Sequence, residues 1–154
     1  MSNSRAVPFD TTILVRDTCL CLHAQRAART LSRLFDEAFQ PLGLTSGQFS
    51  LLNALNRPKP PAIGPVAQLL AMDRTTLTAA LKPLERDGLV AVTVDPDDRR
   101  SRLLHLTEKG QKALAAAMPV WCDLHAAIEA HLSEPAPDSL RGALNSLARA
   151  EPST

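Results

Sequence analysis

Aromatic residues are the scarcest class in this chain of 154 residues, which has no tyrosine, one tryptophan and four phenylalanines. Aromatic and β-branched side chains favour sheets, whereas the abundant Leu and Ala favour helices, so the composition indicates a core of packed helices. With 45% apolar and 21% charged residues, the chain is large enough to bury a core of its own, which excludes a long disordered chain.

An excess of charge, long apolar runs and paired cysteines are also lacking. The 17 basic residues nearly balance the 16 acidic ones, so net charge indicates neither a nucleic-acid nor a membrane partner. No apolar run approaches the roughly 18 residues that would span a membrane. Cys19, Cys21 and Cys122 would leave one thiol unpaired, and no signal peptide is apparent, so we expect a soluble cytoplasmic protein with no membrane partner.

The first half of the chain has helical periodicity. Residues 1–15 show no sustained pattern and are predicted to be a flexible arm. Apolar residues then recur every three or four positions from Leu20 to Ala38, and Pro41 and Gly43 end this helix. Thr45 or Ser46 caps the next helix.

Two short helices follow a proline-rich connection. The third helix covers about Ile63 to Ala71, and Asp73 is the expected N-cap of the fourth, whose core positions are Leu77, Leu81 and Leu84. Because only two or three residues separate them, the pair is predicted to form a helix-turn-helix, the arrangement that offers its second helix to DNA.

The pattern changes to that of strands after Gly88. Residues 89–94 and 101–106 are predicted to form a β-hairpin around turn residues 95–98. Thr107 caps a long helix, which Pro119 should kink or split, and Asp138 opens a last short helix. The expected fold is therefore mainly α with a small β-hairpin wing (α+β).

Several of these segments carry a family resemblance. Residues 66–110 resemble the winged helix-turn-helix of the MarR family of bacterial transcriptional regulators, and residues 45–55 resemble the segment before it. The most specific part is Asp95-Pro96-x-Asp98-Arg99-Arg100 followed by Leu106-Thr107-Glu108-Lys109-Gly110. The likeness implies one domain over residues 16–150, with a winged lobe at 45–112 and dimerisation helices at 16–44 and 113–150.

The outward residues of the fourth helix and of the wing are the candidate DNA contacts. They are Arg74, Thr75, Thr76, Thr78, Lys82 and Arg86 on the helix and Asp98, Arg99, Arg100 and Arg102 on the wing. Arg74 suits a guanine edge, Lys82 and Arg86 suit phosphates, and arginine at a hairpin tip suits a narrow minor groove. The resemblance implies that the wing Asp pairs with a wing Arg. An ordinary solvated helix face and local turn chemistry are the alternatives.

Two features depart from the family. Ala79 and Ala80 stand where such regulators often carry larger polar residues, and Pro83 falls inside the recognition helix. Base readout is therefore expected to depend on fewer side chains.

The resemblance also implies a homodimer that binds a pseudo-palindromic duplex with half-sites about 10 base pairs apart. One-sided apolar patterns in the terminal segments support such an interface. The candidate residues are Leu20, Leu22, Leu124, Ile128, Leu140, Leu144 and Leu147. The alternative is that these residues form the core of a single chain.

A repressor released by a small aromatic or phenolic acid is the function that the family implies. The candidate ligand-binding residues are His23, Arg26, Phe49 and Trp121, with Arg26 as the carboxylate partner. The alternatives are core packing for Phe49 and Trp121 and a solvated charge for Arg26. A cysteine-based redox sensor is an alternative. The absence of tyrosine disfavours it, because the peroxide sensors of the family that this chain resembles have tyrosine in their sensing site.

Other classes of function find less support. On a helix Cys19 and His23 share a face that Cys21 does not, so no metal is expected. No catalytic spacing or glycine-rich phosphate loop appears, so neither an enzyme nor a cofactor is expected. A winged-helix interaction module that has lost DNA binding remains the other alternative.

Overall fold

The computed structural model describes residues 6–149, and these residues form seven α-helices, one 3₁₀ turn and one two-stranded hairpin. The elements are α1 (Phe9–Thr18), α2 (Leu20–Phe39), the 3₁₀ turn (Gln40–Leu42), α3 (Ser46–Leu55), α4 (Ile63–Leu69), α5 (Arg74–Arg86), β1 (Val90–Val94), β2 (Arg102–Leu106), α6 (Glu108–Ala130) and α7 (Pro137–Ala148). The mainly helical fold with a β-hairpin wing is confirmed. Within this range, no helix is both long and apolar enough to cross a membrane.

The chain divides into two compact units, one ending at Leu34 and the other starting at Phe35. The first unit contains α1, so the prediction of a flexible arm is wrong for residues 9–15; residues 1–5 lie outside the described range. No residue of α1 is buried, and without a buried face the sequence carries no apolar period that would reveal the helix. The domain boundaries stay predictions.

Local signals end α2 and begin α3 as expected. The 3₁₀ turn follows Phe39, and Gly43 adopts the left-handed conformation with φ +69°. Thr45, rather than Ser46, is the N-cap of α3. Its hydroxyl accepts from the Gln48 N–H at 3.2 Å, and the Gln48 Oε1 accepts from the Thr45 N–H at 3.0 Å. This reciprocal pair is a capping box.

The core of the second unit is formed mainly by α3, the helix-turn-helix, the hairpin and α6. Leu77, Leu81 and Leu84 of α5 are buried as predicted, together with Val66 of α4 and Leu104 of β2. The hairpin is antiparallel, with its register running from Val90 opposite Leu106 to Val94 opposite Arg102. The Leu104 N–H donates to the Pro61 carbonyl at 2.9 Å, which joins the wing to the segment before α4.

Two expectations about helix interruptions and starts need correction. Helix α6 runs unbroken from Glu108 to Ala130, so Pro119 does not split it, and a kink at Pro119 stays a prediction. Helix α7 begins at Pro137, one residue before the expected start at Asp138. Proline suits the first helical position because its missing N–H has no intrahelical partner there. The Asp138 carboxylate accepts instead from Arg141 at 2.5 Å.

Candidate nucleic-acid interface

The turn between α4 and α5 fixes the start of the candidate recognition helix. Ala71 has φ +51°, and the Met72 N–H donates to the Ala67 carbonyl at 2.9 Å. The Asp73 carboxylate then accepts from the Thr76 N–H and from the Thr76 hydroxyl, both at 2.7 Å. The Thr76 backbone hydrogen bond is the largest cause that lowers the pKa of Asp73. The carboxylate is therefore the stable form of this cap.

The six predicted contacts of α5 are all exposed but differ in their side-chain partners. The hydroxyl of Thr76 donates to Asp73, and that of Thr78 donates to the Arg74 carbonyl at 2.8 Å. Arg86 pairs with Asp87 at 3.2 Å. The guanidinium of Arg74 lies over Gly64 of α4, where a Cβ would be 3.1 Å from its Nη2. Among residues 6–149, Thr75 and Lys82 have no recorded side-chain partner. Their contacts with DNA stay predictions.

The wing tip, residues 95–101, is closed by its aspartates. The Asp95 Oδ1 accepts from the Asp97 N–H at 2.9 Å, and the Asp98 Oδ1 accepts from the Arg100 N–H at 3.0 Å. Asx turns of this kind arise because a short side chain reaches the N–H two residues on. In the described part of the chain, Asp98 makes no ion pair with a wing arginine. The pairing implied by the resemblance is therefore replaced by a backbone contact.

The three wing arginines have different environments. The Nη1 of Arg102 donates to the carbonyls of Arg99 and Ser101, each at 3.2 Å, so this guanidinium braces the tip. Arg99 and Arg100 are exposed, and over residues 6–149 no hydrogen bond or ion pair of their side chains is recorded. The wing therefore presents two arginines to solvent.

A joint that the sequence did not reveal holds the wing against α5 and α6. We call it the wing joint: Gly88 and Leu89 with Thr107 to Gly110. The Thr107 hydroxyl donates to the Gly88 carbonyl at 2.7 Å and accepts from the Gly110 N–H at 3.0 Å. A Cβ on Gly110 would lie 2.1 Å from the Leu89 oxygen. Residues 106–110 were recognisable as a motif, but only the structure brings them against Gly88 and Leu89.

Two of the four predicted ligand-binding residues meet. The rings of Phe49 and Trp121 stack at 6.5 Å between centroids and line a cavity of about 370 Å³, the aromatic cavity. His125, which sequence reasoning missed, stacks on Trp121 at 4.4 Å, one helical turn further along α6. His23 and Arg26 are exposed on α2 in the first unit. A joint role for the four residues stays a prediction.

None of the seven predicted interface residues is buried in the single chain. Leu20 is 66% exposed, Leu144 47% and Leu147 46%, and Leu22, Leu124, Ile128 and Leu140 are half-buried. The alternative that these residues form the core of a single chain is therefore not supported.

The three cysteines are free thiols. Cys19 is half-buried between α1 and α2, where its Sγ accepts from the Leu22 N–H at 3.4 Å. Cys21 and Cys122 are exposed. These positions leave the redox alternative as a prediction.

Comparisons with known proteins agree with this geometry. Residues 42–101 match the model of the MarR family. The transcriptional activatory protein BadR of Rhodopseudomonas palustris is 38% identical over 89 residues, which are 56% of this chain and 51% of BadR. The chain thus spans about half the length of the curated relatives that it matches first.

Solved structures extend the similarity over most of the chain. The M. tuberculosis regulator MosR in complex with DNA is 35% identical with a TM-score of 0.77, covering 84% of this chain and 93% of MosR. The transcriptional repressor CouR bound to a 23-mer DNA duplex is 31% identical with a TM-score of 0.75, covering 88% of this chain and 96% of CouR. With the helix-turn-helix and the arginine-tipped wing in place, the chain belongs to the MarR family, whose members are DNA-binding transcriptional regulators and not enzymes.

Proposed function

We propose that the chain is a homodimeric repressor that binds a pseudo-palindromic operator and is released by a small aromatic ligand. The observation that carries the proposal is the wing joint, which holds the exposed Arg99 and Arg100 in a fixed relation to α5. Repression is proposed because CouR, which is named a repressor, resembles this chain in its DNA-bound form over 96% of CouR's length.

The two DNA-binding elements take different grooves in this proposal. The N-terminal half of α5 enters the major groove, where Thr75 is available for bases, and Lys82 further along the helix is available for phosphates. Arg99 and Arg100 reach into the adjacent minor groove, where A·T-rich sequence narrows the groove and concentrates negative potential. Arg102 contributes by bracing the tip.

The exposed apolar residues support the dimer. Leu144 and Leu147 lie on one face of α7, a helix without a buried residue. Covering such faces with a second copy removes apolar surface from water. A two-fold dimer then presents two copies of α5 to half-sites about one helical turn apart.

The aromatic cavity supports the effector part of the proposal. It is bounded by Phe49, Trp121 and Met118, with the Ser50 hydroxyl and the Asn53 amide as neutral polar groups. Planar rings beside an apolar wall suit an aromatic ligand. Phe49 and Trp121 belong to α3 and α6, so a ligand in the aromatic cavity would contact both of these helices.

Fluorescence anisotropy with a labelled duplex from upstream of the protein's own gene tests the DNA-binding part. Arg99→Ala and Arg100→Ala should each weaken binding and reduce the salt slope by about one. Lys112→Ala is the control, since it removes one exposed charge from α6 outside the proposed contacts. Unchanged binding in both arginine variants would remove the wing from the mechanism. Absence of salt-dependent binding to the duplex would favour a protein-interaction module instead.

A further inference from the structure

A second cavity lies between the N-terminal half of α3 and one flank of α5. Its volume is about 440 Å³, and its apolar wall includes Leu51, Met72, Ala80 and Pro83. We call it the α3–α5 cavity. It shares Ser50 and Leu70 with the aromatic cavity but is otherwise lined by different residues. A volume of this size is within the range of sites that hold small organic ligands.

Two residues of α5 with small side chains, Ala80 and Pro83, border this cavity. Ala80 and Pro83 are three residues apart and therefore share one flank of α5. Thr75 and Lys82 belong to the outward face, and both are exposed. Small side chains on the flank thus leave space beside α3 without removing a candidate DNA contact.

The lining favours a neutral ligand. No charged side chain borders the cavity, and its polar groups are amide and hydroxyl groups, including Gln48 and Ser50. The N-terminus of α3 would ordinarily attract an anion. Here the Ser46 N–H already donates to the Asp36 carboxylate at 2.6 Å, and the Gln48 N–H donates to the Thr45 hydroxyl. A carboxylate ligand would therefore find these two donors already occupied, one of them by a carboxylate.

We propose that the α3–α5 cavity binds a neutral molecule about the size of one aromatic ring, and that this molecule weakens DNA binding by displacing α5 from α3. The binding part stands on the cavity alone. The regulatory part rests on the proposed function, because it requires α5 to read DNA.

Methionine-methyl NMR separates this cavity from its neighbour. The chain has three methionines; Met72 lines the α3–α5 cavity and Met118 lines the aromatic cavity. Benzamide is the probe and benzoate, of nearly the same shape, is its charged counterpart. Benzamide should shift the Met72 methyl signal saturably, with benzoate binding at least tenfold more weakly. A shift of Met118 alone, equal binding of the two probes, or no saturable shift would overturn the proposal.

Filling the cavity supplies a second test of the same site. Ala80→Leu and Pro83→Leu place larger side chains in it and should each weaken benzamide binding at least tenfold. Ala116→Leu makes a comparable change at an exposed position of α6 and should leave binding unchanged. Helical circular dichroism checks each fold. If Ala80→Leu does not fold, Pro83→Leu decides, because leucine suits a helix interior better than proline. Wild-type affinity in a folded filling variant contradicts the proposal.

DNA anisotropy tests the regulatory part. Saturating benzamide should raise the Kd of the wild-type protein for its upstream duplex at least threefold and leave that of Pro83→Leu unchanged. An unaltered wild-type Kd would refute the displacement of α5. Absence of DNA binding without benzamide would refute the proposed function, whereas the Met72 titration would still stand.

Discussion

Ala71 carries a backbone conformation that glycine usually supplies. It occupies the tight turn of the helix-turn-helix with φ +51°, where the Cβ of an L-residue crowds the neighbouring carbonyl. This conformation could not be predicted, because alanine in a helical pattern predicts ordinary helix. The conformation is imposed by the hydrogen bonds that cross the turn, from Ala71 N–H to Gln68 O and from Met72 N–H to Ala67 O.

Ala71→Gly should therefore stabilise the protein. Glycine removes the steric cost of the left-handed conformation, and this gain exceeds the entropic cost of glycine's greater freedom in the unfolded chain. The free energy of unfolding should therefore rise by about 0.5 to 1 kcal/mol. Urea denaturation measures the change. Ala79→Gly is the control, since Ala79 is exposed within α5 and glycine there should cost about 1 kcal/mol. An equal loss of stability in both variants would show that the turn is not strained.

Asp73 makes the stability of the winged lobe depend on pH. Its pKa is lowered from the ordinary value of 3.8, chiefly by the Thr76 backbone hydrogen bond. A carboxylate whose pKa is lower in the folded state stabilises that state when the pH is above the unfolded-state pKa. This contribution disappears as the pH falls through the folded-state pKa.

Asp73→Asn keeps a capping acceptor but removes the charge. The wild-type protein should be the more stable at pH 7, and the difference should shrink as the pH falls below 3.8. Urea denaturation of both proteins between pH 7 and pH 3 measures it. Asp138→Asn, in the first turn of α7, serves as a comparison outside the winged lobe. A constant difference across this range would contradict the role of the charge.

At the scale of elements, the wing joint explains why a glycine stands in the first turn of α6. Gly110→Ala would put a Cβ 2.1 Å from the Leu89 carbonyl oxygen. Since the clash is with backbone, α6 and the wing must separate, at a cost of about 1 to 3 kcal/mol. Thermal and urea unfolding should both show the loss, and DNA affinity should fall with it.

Gly142→Ala is the matched control for this prediction. Gly142 lies inside α7, and a Cβ there would meet nothing within 4 Å. Alanine should stabilise that helix by up to about 1 kcal/mol. The same sign of effect in both glycine variants would mean that the close approach at Leu89 does not constrain the joint.

Elements with a buried face and a cap could be predicted from the sequence, and others could not. Asp73 with Leu77, Leu81 and Leu84 predicted α5, because its cap and core stripe are both local. Helix α1 has neither a side-chain cap nor a buried residue. Its register is therefore invisible in the pattern of apolar residues.

For the whole molecule, residue types and spacing predicted the candidate DNA-binding surface. Side-chain contacts seen only in the structure then distinguish the arginines of that surface from one another. The near-zero net charge averages over an arginine-tipped wing and acidic residues elsewhere. Spacing placed Arg74, Arg99 and Arg102 on that surface. Only packing places Arg74 over Gly64 and turns Arg102 back onto the wing tip, because these contacts join residues whose proximity depends on the fold.

The exposed leucines of α7 make dimerisation the decisive test at this scale. Leu144 is 47% exposed in the single chain, and a charge there would remain buried and unpaired if a second copy covered it. Leu144→Glu should raise the dimer dissociation constant at least tenfold in sedimentation equilibrium and weaken binding to a two-half-site duplex in parallel.

Asn145→Glu adds the same charge at the next, exposed position of α7 and should leave the dimer intact. Both variants should keep the wild-type helical content, since α7 buries no residue in the single chain. A wild-type mass of one chain at micromolar concentration would reject the dimer outright. A dimer indifferent to Leu144→Glu would instead move the interface away from α7, because a buried, unpaired glutamate cannot be accommodated without weakening association.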